Sequence, residues 1–210
     1  MEILKQIAQN LQAGDDERVL ALTRDALAQG IAPREILDEG LLAGMHVVGE
    51  QFRTHEIFLP DVLMAAKAMY AGLEVLKPLL AGGGVPTAGR VVIGTVKGDL
   101  HDIGKNLVGI MLKGAGFEVI DLGKDVEPRK FVDAARDAQA GVIGMSALLT
   151  TTMPMMKQVV ELLASEGLAG RVRTVIGGAP VSADFARDIG ADGYAYDAAN
   201  AVERVKALMA

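Results

Sequence analysis

Arg90-Val91-Val92-Ile93-Gly94-Thr95-Val96-Lys97-Gly98-Asp99-Leu100-His101-Asp102-Ile103-Gly104 decides how the chain folds. Its first seven residues are mostly apolar and β-branched, and Lys97-Gly98 ends them, which is the pattern of a strand buried on both faces. A polar loop follows, then Leu107, Val108, Ile110, Met111 and Leu112 at the spacing of an amphipathic helix. Residues 117–122, 141–148, 172–176 and 193–196 are further short runs, rich in Val and Ile or flanked by glycine, with amphipathic segments between them. Alternation of this kind predicts five parallel strands in one sheet with helices on both faces. Such sheets bind ligands beyond the carboxyl ends of their strands, so the loops after the first, third and fourth strands are where function is expected.

Upstream the period changes. Residues 1–11 are amphipathic, and Asp15 and Asp16 open a second helix through Val19, Leu20, Leu22 and Leu27 that Gly30 closes. Pro33 suits the first turn of a third helix, which runs through Ile36, Leu37, Leu41 and Leu42 toward Val47 and Val48. A fourth begins near Pro60 and passes Leu63, Met64, Met69, Leu73 and Leu76 to end about Leu80. Short connections between such helices predict a bundle. The expected architecture is therefore α/β, with a four-helix bundle over residues 1–80 and a Rossmann-like (flavodoxin-like) domain with a five-stranded parallel sheet over residues 90–210. Residues 81–89, Ala-Gly-Gly-Gly-Val-Pro-Thr-Ala-Gly, have the small-residue composition of a flexible linker and suit a hinge.

Composition excludes several classes. Half of the 210 residues are hydrophobic, enough for real cores. A net charge of -6 lacks the field that gathers phosphates, so no nucleic-acid partner is expected. The absence of cysteine removes disulfides, thiolate metal sites and thiol nucleophiles. Glu2, Lys5, Gln6, Gln9 and Asn10 interrupt the first apolar stretch, so neither a secretory leader nor a membrane span is expected and the cytoplasm is the default.

The first loop, 97–104, has neither a dinucleotide fingerprint nor a Gly-Lys-Ser/Thr at its helix start. It offers Asp99 two residues before His101 at the mouth of a sheet. A carboxylate that accepts from one ring nitrogen fixes the imidazole tautomer and leaves the other nitrogen for a metal. Taken alone, the pattern also suits a solvent-exposed histidine. The third loop sets Ser146, Thr150, Thr151 and Thr152 beside Leu148 and Leu149, where helix capping alone would need one hydroxyl. After the fourth strand, Gly177-Gly178 offers backbone without side chains, either a tight turn or a place where a bulky ligand comes close.

Together the three loops resemble the cobalamin-binding domain of corrinoid methyltransferases and cobalamin-dependent mutases. The family pattern Asp-x-His-x-x-Gly matches Asp99, His101 and Gly104, its Ser-x-Leu matches Ser146 and Leu148, and its Gly-Gly matches Gly177 and Gly178. The resemblance implies a cobalamin cofactor, with methylcobalamin as an intermediate, and His101 as the axial ligand of its cobalt. It implies that Gly98, Asp99, Leu100, His101, Asp102, Ile103 and Gly104 meet the corrin. The slot for the detached nucleotide tail falls to Ser146, Leu148, Thr150, Gly177 and Gly178. The methionine-synthase branch has a serine six residues beyond the Ser of Ser-x-Leu; Thr152 stands there in this chain, so Asp99 is expected to pair with both His101 and Thr152 in the catalytic set. The bundle resembles the cap of the methyl-transfer branch, on 44–52, 58–62, Ala65-Ala66 and Ala68-Met69. In that branch an aromatic and a leucine shield the upper corrin face; Phe52 and Leu59 match them, although periodicity alone would make both ordinary bundle core.

The nearest likeness is to small free-standing corrinoid proteins that serve methanol, methylamine and O-demethylase systems. It implies a methyl carrier rather than a self-sufficient enzyme, with three partners: a substrate-specific methyltransferase, a second methyltransferase using tetrahydrofolate or a thiol coenzyme, and a reductive activation protein. A cobalamin-dependent sensor or regulatory module and the cobalamin subunit of a mutase are the alternatives. The sensors carry a tryptophan in the cap, which this chain lacks.

Overall fold

The computed structural model describes residues 2–80 and 87–210. The chain divides into two compact units, Met1–Thr87 with Gly114–Gly116 and Ala88–Lys113 with Phe117–Ala210. Of the expected linker, residues 81–86 lie outside the described residues.

In the first unit, α1 (Glu2–Gln12) buries Leu4, Ile7 and Leu11 at helical spacing. Helix α2 (Asp16–Ala28) starts where the Asp15 side chain accepts from the Arg18 amide, a cap worth about 1 kcal/mol. It ends before Gly30, which takes the left-handed φ of +81°. Helix α3 (Pro33–Glu35) runs through a π-helical stretch, Ile36–Leu42, straight into α4 (Ala43–Arg53), and α5 (Leu59–Leu80) follows. The π-helical turns depart from the single regular helix expected here, and burial explains them. Ile36, Gly40, Gly44 and Val48 are buried, as are Leu37, Leu41 and Met45. A repeat of four advances by about 40° per step around a helix of 3.6 residues per turn, so a regular helix would rotate this stripe out of the core. Wider turns hold it in place. The stripe needs its glycines: a Cβ at Gly44 would stand 2.9 Å from the Ala8 carbonyl oxygen, and one at Gly40 would stand 3.1 Å from Ile7 Cγ2.

The second unit is a five-stranded parallel sheet, β1 (Arg90–Thr95), β2 (Glu118–Asp121), β3 (Val142–Ser146), β4 (Arg173–Gly177) and β5 (Gly193–Ala195), in the order β2-β1-β3-β4-β5. Helices α6 (Ile103–Gly114), α7 (Pro128–Asp137), α8 (Pro154–Ser165), α9 (Ala183–Ile189) and α10 (Ala198–Met209) alternate with the strands. The strand order reverses between β1 and β3, which places the ligand crevice between the loops that follow those strands. One sheet face packs Val92, Ile143, Met145 and Ile176 against Phe131, Val132, Met156 and Val159 of α7 and α8. The other carries Ile93 and Thr95, Gly144 and Ser146, Val175 and Gly177, and Ala195, in register across four strands. No described helix is long and apolar enough to cross a membrane.

Candidate functional site

The loop after β1 is turned by Gly98, whose φ of +81° is the left-handed conformation glycine adopts freely. Thr95, fully buried at the end of β1, donates its hydroxyl to the His101 carbonyl at 3.1 Å. These constraints carry Asp99 inward until none of it is exposed. A carboxylate cannot be buried alone, and this one accepts five hydrogen bonds. Its Oδ1 takes the His101 amide at 3.1 Å and His101 Nδ1 at 2.8 Å. Its Oδ2 takes the Leu148 amide at 2.7 Å, the Leu149 amide at 3.1 Å and the Thr152 hydroxyl at 2.8 Å. Burial pushes the Asp99 carboxyl up, but the bonds from His101, Leu148 and Thr152 outweigh it and hold the group well below the usual carboxylate range. Asp99 is therefore an anion, and one carboxylate joins the loops on both sides of the crevice.

An anion at Oδ1 makes His101 Nδ1 the donor, which leaves the lone pair on Nε2. No described residue bonds Nε2, and the His101 side chain is 51% exposed. One imidazole is a single donor, so a metal held here brings its other ligands with it, as the four ring nitrogens of a corrin do. The surroundings suit a large, flat, largely apolar partner: Leu100 is 61% exposed and Ile103 73%, and Leu148 and Leu149 are also exposed.

Behind the mouth, the sheet face that bears Thr95 is open in its middle. Gly109 of α6 closes on Ile93 of β1, and Leu208 of α10 closes on Gly193 of β5. Between them Gly144, Ser146 and Gly177 on the two central strands stay half-exposed, where a doubly covered sheet would bury them. The strip is floored by two glycines and a serine, and it reaches two residues down β3. On α10, Asn200 Oδ1 is buried and has no partner among the described residues.

The Gly177-Gly178 pair has a physical reason besides the two its sequence suggests. A Cβ at Gly178 would stand 1.9 Å from the Ala147 carbonyl oxygen, and one at Gly177 would stand 2.9 Å from that of Ala195. These glycines let the β4 loop close on its neighbours, before any ligand is considered. Gly178→Ala, with its φ of +129°, will destabilise the domain by about 2–4 kcal/mol, measured by urea unfolding. At Gly104 a Cβ would meet nothing within 4 Å.

The structure thus brings Gly98, Asp99, Leu100, His101, Ser146, Leu148 and Thr152 to one sheet edge. Half-buried Asp102 precedes α6 and its carbonyl accepts from the Asn106 amide. Ile103 opens that helix, and Thr150 is exposed in the turn before α8. In the first unit Phe52 on α4 and Leu59 at the start of α5 are half-buried, while Phe58 is 68% exposed. Sequence reading missed Leu149, whose amide serves Asp99, and Gly144, which floors the strip; a glycine inside a strand was the available signal for the second.

Two family models, each described as a B12 binding domain, match residues 89–205 and residues 3–77. Dimethylamine corrinoid protein 1 of Methanosarcina acetivorans is 46% identical over 210 residues, which cover 100% of this chain and 98% of that protein. Trimethylamine corrinoid protein 1 of Methanosarcina mazei is 45% identical, covering 99% of this chain and 97% of that one. Among solved structures, a chain of the methanol:cobalamin methyltransferase complex MtaBC of Methanosarcina barkeri superposes with a TM-score of 0.92 at 33% identity, covering 99% of this chain and 80% of its own. The chain belongs to the B12 binding domain family, with cobalamin as its cofactor.

Proposed function

We propose that this chain is the corrinoid carrier of a methyltransferase system. It takes a methyl group from a substrate-specific methyltransferase and yields it to a second one, whose acceptor is tetrahydrofolate or a thiol coenzyme. The observation that carries this reading is His101 Nε2, oriented at the crevice by a buried anion and without a partner among the described residues. The relatives named for dimethylamine and trimethylamine, and the likeness to a chain of a methanol:cobalamin methyltransferase complex, favour a small methylated amine or alcohol as donor. Bound cobalamin supplies a metal that accepts and releases the methyl group. The protein's residues do the rest. His101 would hold the cobalt through Nε2, with Asp99 fixing its tautomer and Thr152 holding Asp99 in turn. Ser146, Leu148, Thr150, Gly177 and Gly178 take the nucleotide tail. Residues 1–80 would be the cap, with Phe52 and Leu59 its shielding residues, and residues 90–210 the binding domain. Residues 81–89 connect the two in sequence. A reductive activation protein would be the third partner in this reading.

Titrating the cofactor-free protein with hydroxocobalamin while recording the visible spectrum tests the reading. Uptake is expected to saturate at one cofactor per chain with loss of the free cofactor's spectrum. A chain that takes up none is not a corrinoid carrier. Gly104→Ala sharpens the test, because no described residue outside its own helical turn comes within 4 Å of the added methyl group. Folding stability is expected to change by less than about 1 kcal/mol, while cobalamin affinity falls at least about tenfold (~1.4 kcal/mol), since the methyl group enters space the corrin needs.

A further inference from the structure

The ligand loop lies between two others, because β1 stands between β2 and β3. On the β3 side it is tied through Asp99. On the β2 side it is tied through residues that the cofactor reading does not use. The Gly98 amide donates to Asp125 Oδ1 at 2.8 Å, and the Asp125 amide donates back to the Asp99 carbonyl at 3.1 Å. Lys97 reaches Asp125 at 3.4 Å and Glu127 at 3.1 Å. Asp125 holds a φ of +55°, a disfavoured conformation for a residue with a side chain, and one that persists where the surroundings over-determine it. A second tie sits in the first turn of α6. Lys105, its side chain 3% exposed, bonds Asp121 at the end of β2 at 2.5 Å and Asn106 Oδ1 at 2.6 Å. The loop is therefore fixed at its entry by Asp125 and at its exit by Asp121, and Leu100, His101 and Ile103 stand exposed between the two ties.

We propose that Asp125 is a positioning residue for His101: it pins Gly98, which sets the turn that aims Asp99 and the imidazole at cobalt. This rests on His101 being the axial ligand. The carboxylate does not touch the ring, so its effect passes through the backbone of 98–101. A loop free on this side would keep its hydrogen bonds to the β3 loop but would sample several heights for the ring. Ligation to a metal at a fixed height then loses the benefit of preorganisation.

Three variants of the full chain test this. Asp125→Gly removes the carboxylate and keeps the left-handed backbone free of strain. Asp125→Asn keeps an acceptor for Gly98, and Lys124→Ala controls for the neighbouring surface. In cofactor-free protein, Asp125→Gly is expected to speed amide hydrogen exchange at 98–101 at least about tenfold while α8 and α10 are unchanged. In cobalamin-loaded protein its histidine-ligated fraction, read from the visible spectrum, is expected to fall at least about threefold at unchanged cofactor stoichiometry. Asp125→Asn should restore most of both, and Lys124→Ala should match the parent. Exchange that rises throughout the domain, or a ligated fraction equal to the parent's, overturns the proposal. If the parent protein takes up no cobalamin, the carrier reading has failed, and exchange at 98–101 still decides whether Asp125 holds the loop.

Discussion

His101→Ala will retain cobalamin yet lose the spectrum of a nitrogen-ligated cobalt completely, the largest spectroscopic change expected of any substitution in the chain. Two separable contacts hold the cofactor in the proposed geometry. The tail slot, floored by Gly144, Ser146 and Gly177, is untouched by the substitution, while the single protein donor to the metal is removed. With 51% of the His101 side chain exposed, truncation leaves no large cavity, and folding stability should drop by no more than about 1 kcal/mol. The vacated space is the size of an imidazole and opens at the crevice. Free imidazole at millimolar concentration should therefore enter it and restore the nitrogen-ligated spectrum. The other histidines, His46 and His55, lie in the first unit, and their alanine variants should match the parent. A visible spectrum unchanged in His101→Ala would falsify its assignment to cobalt.

The sheet was legible in the sequence because four of its strands are short runs carrying Val and Ile, while β5, Gly193–Ala195, was marked only by its glycine and its place after an amphipathic segment. The helical starts were legible because their chemistry is local: Asp15 caps α2, and Pro33 opens α3. Less legible was whatever depends on a partner distant in sequence. The π-helical stretch had a signal, the spacing of four at 36, 40, 44 and 48, but glycines hid half of that stripe, and only α1 lying against them shows that they are core. The reason for Gly178 lies at Ala147, 31 positions away in sequence, where no reading of its own turn could find it. Within the site, side chains that hydrogen-bond across loops were foreseeable from Asp99, His101 and Thr152. Backbone donors such as the Leu149 amide carry no mark in the sequence at all.

Asp99→Ala will cost the second unit about 3–5 kcal/mol of folding stability, and Asp99→Asn will cost less yet still abolish ligation by His101. Alanine strands the amides of His101, Leu148 and Leu149 beside a fully buried position, and each buried donor left unpaired costs about 1–3 kcal/mol, offset in part where water enters. Asparagine keeps the shape, and its direction is dictated by the donors. Its carbonyl must face Leu148, Leu149 and Thr152, which leaves its amide facing His101. Nδ1 is then forced to accept, the proton moves to Nε2, and the lone pair that would meet cobalt is gone. The pH dependence of stability follows the same carboxylate. Its folded-state pKa lies below the unfolded value, so its contribution is complete above the ordinary aspartate range, about pH 4, and is lost as the pH falls through and below it. Urea unfolding of the cofactor-free protein from pH 7 to pH 3 should therefore show a steeper loss in the parent than in Asp99→Asn. If the two curves ran parallel, the Asp99 anion would not be what joins the loops on the two sides of the crevice.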